Sequence, residues 1–300
     1  MRVDDIKKVL IVGAGTMGQQ IAAVCAMHGL QVNLYDIKQE FLNDGMEKIN
    51  KLLGFFVKHR HITEEERGAA YKRVAAYDSL EKAGADVDIV SESIPEDPKL
   101  KGRVFGQLNN ICPARTIFTT NTSTLLPSMF ASDTGRPERF AALHFHDVRV
   151  TTIVDVMPHP GTSKETIDFV RDFAIRIGQT PIMMDRESMG YVFNFMLVNL
   201  FESALTLASN GVASIEDIDR SWMGVTRMIV GPFGMMDNIG LQTVWKVNDY
   251  WARATKDPQK ICNTEFVKKY IDQGLMGVKT KKGFYEYPNP KYQKPDFIKG

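Results

Sequence analysis

The sequence has few cysteines, almost no net charge and no long apolar run. Its three cysteines lie far apart and form no paired motif, so neither a disulfide framework nor a metal site is predicted. The formal net charge is +1, which gives no broad attraction to nucleic acid or to an anionic membrane. No apolar run is long enough to cross a membrane, and the first residues do not resemble a signal peptide. We therefore expect a soluble protein of the cytoplasm.

The hydrophobic residues, 44% of 300 positions, are enough for one large domain or two ordinary ones. Near the start, the apolar run Val9–Val12 breaks into Gly13-Ala14-Gly15-Thr16-Met17-Gly18, and a helical pattern follows. In such a turn the first glycine permits the tight bend and the second lets the backbone approach a pyrophosphate. The third lets the helix pack on the sheet. The residues predicted to bind a dinucleotide are Gly13, Gly15, Thr16, Met17 and Gly18.

A second apolar run, Val32–Tyr35, ends at Asp36, eighteen residues after Gly18. A carboxylate at about this spacing accepts a hydrogen bond from a ribose 2′-hydroxyl and repels a 2′-phosphate. The sequence therefore predicts NAD, rather than NADP, as the cofactor.

Strand and helix patterns alternate along the first part of the chain, with a helical hairpin inserted at about residues 39–77. This order predicts an α/β domain over residues 1–186, with a Rossmann-type, doubly wound and mostly parallel sheet. Residues 187–300 carry mostly helical patterns and predict a second, all-α domain. A short strand is predicted at residues 283–287, and the tail at 288–300 is expected to be loosely held.

Polar side chains follow several of the predicted strands. Glu96, Ser123 and His144 lie at or near strand ends, where ligands bind in such sheets, so we expect them to converge on one crevice. Oxidation of an alcohol needs a base beside the hydroxyl, and the ordinary pKa of histidine suits that task. This combination predicts a hydride-transfer site at the carboxyl ends of the strands.

The candidate base is His144, and Asp155 on the following strand could hold its imidazole in one tautomer. Ser123 and Asn194 could donate hydrogen bonds to the substrate oxygen. Spacing alone leaves another interpretation open, because a histidine in a buried strand is also a common core residue. Strand alternation places His146 on the same face as His144, so the choice of base is not unique from the pattern.

The motifs resemble those of the NAD-dependent 3-hydroxyacyl-CoA dehydrogenases over nearly the whole chain. The matching stretches are Glu92-x3-Glu96-x4-Lys101, Asn121-Thr122-Ser123, Leu143-His144-Phe145, Gly190-Tyr191-Val192-Phe193-Asn194, Gly231-Pro232-Phe233, Asp237-x2-Gly240-Leu241 and Lys279-x3-Gly283-Phe284-Tyr285. Residues 119–127, 142–145 and 240–243 are similar to the CoA-independent diketoreductase branch of this family.

The resemblance implies a role for each matching residue. His144 would be the base in alcohol oxidation and the acid in ketone reduction, with Ser123 and Asn194 on the substrate oxygen. The glycine turn and Asp36 would bind the adenosine half of NAD. The residues implied on its ribose and nicotinamide side are Glu96, Lys101, Asn121 and Ser123. The family fold implies a Rossmann domain followed by a helical domain that builds a homodimer, and the family implies a place in fatty acid metabolism.

The chain departs from the family pattern beside the candidate base. The usual orienting Glu aligns with Asp155, and the loop before it is one residue shorter, so we expect a backbone shift to restore contact with His144. The usual Phe-Asn-Pro is replaced by His146-Asp147-Val148. The Arg that usually follows the family Asn is Phe195, and the Glu of Gly-Pro-Phe-Glu is Gly234.

The substrate is predicted to be a small acyl compound whose class stays open. The hairpin tip Lys58-His59-Arg60-His61 is basic, which fits either a solvated turn or a contact with a phosphate-bearing substrate. Phe55 and Phe56 stand where CoA-using relatives tend to carry polar or basic residues. The sequence therefore fits two substrate classes, a CoA thioester and a free β-keto or β-diketo acid or ester. It also fits a protein that binds a dinucleotide without turnover.

Overall fold

A computed structural model describes residues 2–300. The chain divides into two compact units, the first ending at Val192 and the second beginning at Phe193. The boundary predicted between residues 186 and 187 lies slightly earlier. Within the described residues, none of the helices combines the length and apolarity needed to cross a bilayer.

The first unit is built on one eight-stranded sheet. Its strands are β1 Lys8–Val12, β2 Gln31–Tyr35, β3 Val74–Tyr77, β4 Ile89–Glu92, β5 Ile117–Thr120, β6 Phe140–Phe145, β7 Ile153–Met157 and β8 Thr180–Met183. Their order across the sheet is β3-β2-β1-β4-β5-β6-β7-β8. Strands β1 to β6 run parallel, β7 pairs antiparallel with β6, and β8 runs parallel to β7. The chain winds outward in both directions from β1, which confirms the predicted doubly wound, mostly parallel fold.

Helices cover both faces of this sheet. They are α1 Thr16–Met27, α2 Gln39–Lys58, α3 Glu64–Lys72, α4 Leu80–Gly84, α5 Pro98–Ile111 and α6 Lys164–Arg176. Alternate residues of β1 enter separate apolar clusters, with Val9 and Ile11 in one and Leu10 and Val12 in the other. A strand that is apolar on both sides is typical of a parallel sheet covered by helices on both faces.

The inserted hairpin consists of α2 and α3. Thr63 begins α3 with a capping box, in which its hydroxyl accepts from the Glu66 amide and the Glu66 carboxylate accepts from the Thr63 amide. The prediction extended the hairpin to residue 77, whereas residues 74–77 form β3 beside β2. Pairing with β2 selects the extended conformation there, which local helix preference does not reveal.

The second unit is helical, as predicted. Its helices are α7 Phe193–Ser209, α8 Ile215–Thr226, α9 Pro232–Ile239, α10 Leu241–Thr255 and α11 Pro258–Ile271. The strand predicted at residues 283–287 is wrong, because that segment forms only isolated bridges, Gly277 with Lys282 and Lys282 with Glu286.

The expectation of a loosely held tail is also wrong. Tyr292 and Phe297 are buried in the apolar core of the second unit. The Arg220 guanidinium lies 5.0 Å from the centre of the Phe297 ring, and its Nε donates to the Phe297 carbonyl at 2.7 Å. Two aromatic anchors therefore hold a segment whose proline and lysine content is typical of a free tail.

Candidate active site

The glycine turn lies between β1 and α1. Gly13 has a φ of +103°, and a Cβ at that position would lie 2.6 Å from the main-chain oxygen of Ser93. At Gly18 a Cβ would lie 1.8 Å from the main-chain oxygen of Gly13, so a side chain there would force the helix away from the turn. Gly15 is exposed, and a Cβ added there would meet nothing within 4 Å. The first and third glycines thus serve the tight backbone geometry, and the second faces open space.

Asp36 closes the same site from the end of β2. Its Oδ2 accepts a hydrogen bond from the Ala14 amide at 2.8 Å, so the carboxylate is fixed beside the glycine turn. Helix α1 begins at Thr16, and its N-cap Gly15 has no side chain to occupy the first amides. Free amides at a helix N-terminus suit a pyrophosphate, and a half-exposed carboxylate at this distance along the chain suits a ribose diol. The residues present therefore fit a dinucleotide.

A histidine–carboxylate pair lies on β6 and β7. The antiparallel register places His144 directly opposite Asp155, and His144 Nδ1 is 3.0 Å from Asp155 Oδ2. Both residues are buried, with 4% and 1% of their surface exposed. His144 is the penultimate residue of β6, so it lies at the same edge of the sheet as the glycine turn after β1. Three strand spacings separate the two sites, or roughly 14 Å.

A second imidazole contacts the same carboxylate oxygen. His146 Nε2 is 3.1 Å from Asp155 Oδ2. Burial acts to raise the pKa of Asp155, but the hydrogen bonds from the two histidines outweigh it and hold that pKa below its ordinary value. An ionised carboxylate only accepts hydrogen bonds, so both ring nitrogens donate to it. In the neutral form of His144 the proton is therefore on Nδ1, and Nε2 has the lone pair.

Tyr191 packs against the other side of His144. The two rings are stacked, with centroids 4.5 Å apart and planes 18° apart. The Tyr191 hydroxyl donates to the Thr122 carbonyl at 2.6 Å. The backbone φ of Tyr191 is +55°, which is unusual for a bulky residue. Burial raises the pKa of this hydroxyl well above its ordinary value, so it stays a neutral donor. Tyr191 belongs to the motif at residues 190–194, but that motif alone predicts no role for it.

Glu96 orders the loop that follows β5. Its carboxylate accepts from the amides of Ser123 and Thr124, each at 3.0 Å, and from the hydroxyl of Thr122. Asn121 Oδ1 accepts from the Phe145 amide at 2.7 Å and so ties this loop to the end of β6. These contacts connect the loops that carry Glu96 and Ser123 with the strand that carries His144. The Ser123 side chain is exposed at this edge.

Lys101 lies in the interior, beneath the same loop. Its ammonium is 2.6 Å from Glu92 Oε1, 3.2 Å from the Ile94 carbonyl and 3.3 Å from Glu96 Oε2. Both Lys101 and Glu92 are fully buried. The geometry makes Lys101 a support for the carboxylate of Glu96, and its predicted contact with the cofactor stays a prediction.

Asn194 lies in the second unit, next to the first residue of α7, and is half-buried. Its predicted contact with the substrate oxygen stays a prediction. In the same unit, a Cβ added at Gly234 would lie 2.7 Å from Val230 Cγ2 and 2.9 Å from Tyr292 Cε1. The family glutamate at this position would therefore displace the packed tail.

Two family models match consecutive parts of the chain. The model of the 3-hydroxyacyl-CoA dehydrogenase NAD binding domain matches residues 8–188, and that of the C-terminal domain matches residues 190–287. The chain belongs to the 3-hydroxyacyl-CoA dehydrogenase family. It is an NAD-dependent oxidoreductase, and the glycine turn with Asp36 is the part of its fold that fits this cofactor.

Individual relatives cover nearly the full length of this dehydrogenase. The probable 3-hydroxybutyryl-CoA dehydrogenase of Bacillus subtilis is 32% identical over 284 residues, which cover 94% of this chain and 98% of the relative. The 3-hydroxybutyryl-CoA dehydrogenase of Bradyrhizobium diazoefficiens is 30% identical over 287 residues, which cover 95% and 97%.

Two solved structures are similar in fold. A diketoreductase, described as catalysing reactions of dicarbonyl compounds, aligns with a TM-score of 0.87 at 35% identity, covering 94% of this chain and 99% of its own. The (S)-3-hydroxybutyryl-CoA dehydrogenase of Ralstonia eutropha aligns with a TM-score of 0.85 at 30% identity, covering 95% and 100%. The predicted resemblance to the family and to its diketoreductase-like branch is confirmed.

Proposed function

We propose that the chain interconverts 3-hydroxyacyl and 3-oxoacyl compounds, with His144 as the proton-transferring residue and Asp155 as its positioning residue. The observation that carries this proposal is the 3.0 Å contact between His144 Nδ1 and Asp155 Oδ2, at the edge of the sheet that also holds the glycine turn. NAD, when bound, supplies the hydride acceptor for alcohol oxidation. The protein has to hold the alcohol and remove its proton.

The orientation of His144 suits proton removal. Because Asp155 holds the proton on Nδ1, the lone pair of Nε2 can accept the hydroxyl proton of the substrate. The imidazolium that forms lies against a carboxylate that remains ionised, so charge of opposite sign stabilises it. In ketone reduction the same imidazolium returns its proton to the carbonyl oxygen. We assign Ser123 as a hydrogen-bond donor to that oxygen, which its exposure beside this site supports.

We propose a CoA thioester as the substrate class, with a free β-keto or β-diketo ester as the alternative. Lys58 and Arg60 are exposed at the tip of the α2–α3 hairpin and offer positive charge for phosphates. Phe55 and Phe56 pack against histidines of the same tip. The ring centroids of Phe55 and His59 are 4.0 Å apart, and those of Phe56 and His61 are 5.7 Å apart. The similarity to a diketoreductase favours the alternative.

NADH oxidation with acetoacetyl-CoA and with ethyl acetoacetate separates the two classes. If the CoA moiety contributes binding energy to the transition state, we expect kcat/KM to be higher for the thioester by about 10²-fold or more. The double variant Lys58→Ala/Arg60→Ala should reduce kcat/KM for the thioester and leave the ester unchanged. Equal values for both substrates support the ester class, and no NADH oxidation with either compound contradicts the proposed function.

We further propose that the chain acts as a cytoplasmic homodimer. Large apolar side chains are exposed along the second unit, and those more than half exposed are Phe193, Phe195, Met196, Val212, Val225, Ile229 and Tyr250. Such a surface suits an association interface. The three thiols are free, which fits a reducing compartment. Sedimentation equilibrium is expected to give twice the mass of the 33.8 kDa chain, and a monomer mass would contradict this assignment.

A further inference from the structure

We propose that His144, His146 and Asp155 form a binding site for a transition-metal cation of the zinc type, and that its occupancy blocks the dehydrogenase. The binding part stands on the geometry of the three side chains. The inhibitory part rests on the proposed function of His144. The scattered cysteines predict no metal site, whereas the contact of both histidines with one carboxylate oxygen depends on the pairing of β6 with β7.

The ligand atoms already surround a common point. His144 Nδ1 and His146 Nε2 lie 3.0 Å and 3.1 Å from the same Asp155 oxygen, and all three atoms lie within 4.8 Å of one another. Zinc binds nitrogen and carboxylate oxygen at about 2.0–2.2 Å, which places neighbouring ligands of a tetrahedral ion roughly 3.3–3.5 Å apart. Small outward shifts of the side chains therefore make room for the ion, with no change of strand register.

Two imidazoles and one carboxylate form a donor set that suits zinc and its neighbours among the divalent transition metals. The β6–β7 ladder places His144 opposite Asp155, and His146 directly follows the last residue of β6, so the backbone holds the three ligands close together. The His146 side chain is 18% exposed and is the most accessible of the three. A cation can therefore reach the cluster from the side of His146.

The shared carboxylate lies in the interior, since only 1% of the surface of Asp155 is exposed. The imidazoles of His144 and His146 both donate to one oxygen of this carboxylate. An added cation is consequently favoured at the shared carboxylate oxygen.

Metal binding would change the tautomer of His144. The proton of His144 moves from Nδ1 to Nε2, and the ion binds the lone pair that this leaves on Nδ1. The imidazole therefore keeps one proton in total. With a proton on Nε2, His144 can no longer accept the hydroxyl proton of an alcohol. His146 shifts its proton from Nε2 to Nδ1 in the same way. The metal and the reaction therefore compete for one side chain, which makes the bound ion an inhibitor.

Calorimetric titration of Zn²⁺ into the chelator-treated, NAD-free full chain tests the binding. We expect one Zn²⁺ per chain, and we expect His146→Phe to lower the affinity by at least about 100-fold because one of three ligands is lost. Phenylalanine keeps an aromatic ring but has no atom that can bind a metal, and it is the residue of the family pattern at this position. Circular dichroism and thermal unfolding check that the variant is folded.

The matched control is the double variant His59→Gln/His61→Gln. It removes the two exposed histidines of the hairpin tip. They are two residues apart in the sequence, as His144 and His146 are. The proposed site predicts that this control keeps the full affinity for Zn²⁺. Tight binding that persists in His146→Phe, or that disappears in the control, would place the metal elsewhere and overturn the proposal.

Activity measurements separate this proposal from the proposed function. Saturating Zn²⁺ should lower the turnover of the wild-type chain by about 10²-fold or more, with recovery after chelation and no change in NADH affinity measured by fluorescence. A chain that binds one Zn²⁺ through His146 but turns over no substrate would refute the function and keep the site. An active chain that binds no Zn²⁺ would refute the site and keep the function.

Discussion

Replacing His144 with glutamine is expected to lower kcat by about 10²–10⁴-fold, or about 2.7–5.4 kcal/mol of transition-state stabilisation. Glutamine fills a similar volume and keeps hydrogen-bonding groups, but it cannot take up a proton from an alcohol. The NADH dissociation constant should stay within about twofold, because the glycine turn and Asp36 lie roughly 14 Å away across the sheet. Steady-state kinetics and NADH fluorescence measure the two quantities separately.

The matched control is His28→Gln. His28 lies at the opposite end of α1 from the glycine turn. One helix length, about 18 Å, separates that residue from the turn. We expect it to keep wild-type turnover. If His144→Gln also keeps wild-type turnover, the proton is transferred by another group and the assignment of His144 fails.

Replacing Asp155 with alanine is expected to lower kcat by about 10²–10³-fold. The change removes both the acceptor that keeps the proton of His144 on Nδ1 and the charge that stabilises the imidazolium. Asp155→Asn removes the charge and replaces one carboxylate oxygen with an NH2 donor, which can hold His144 in the wrong tautomer, so it should lose at least as much turnover as alanine. Asp155→Glu restores the family carboxylate and should retain the most of the three variants.

Loss of a buried carboxylate also affects folding, so each Asp155 variant needs a thermal unfolding curve and an NADH titration. A folded Asp155→Ala variant with full turnover would show that the carboxylate does not position the base. Equal losses in the alanine, asparagine and glutamate variants would point to a packing effect, because charge and hydrogen bonding differ among them.

Local sequence patterns predicted the parts of the site that depend on neighbouring residues. The glycine turn, Asp36 and the strand carrying His144 follow from an apolar run, a glycine spacing and a carboxylate at the expected distance. The alternation of side chains along a strand also predicted His146 on the same face of the sheet as His144, and both histidines contact Asp155. The resemblance to the family supplied the candidate roles that spacing left open.

The remaining features depend on contacts between distant segments. No local pattern shows that β7 reverses direction and brings Asp155 opposite His144. Likewise, the left-handed backbone at Tyr191 and the stacking of its ring on the His144 imidazole follow from packing rather than from its motif. Lys101 matches a family position, yet its buried ammonium binds carboxylates of the protein. Sequence matching gave the position of this residue but could not give its partners.

The pairing of β6 with β7 has an evolutionary consequence. Because interstrand hydrogen bonds fix His144 opposite Asp155, residues 146–152 do not determine how far apart the two side chains lie. We therefore expect insertions and deletions in that connection to leave the distance between His144 and Asp155 unchanged. A lineage can lengthen or shorten this connection and still inherit the pairing of the histidine with the carboxylate.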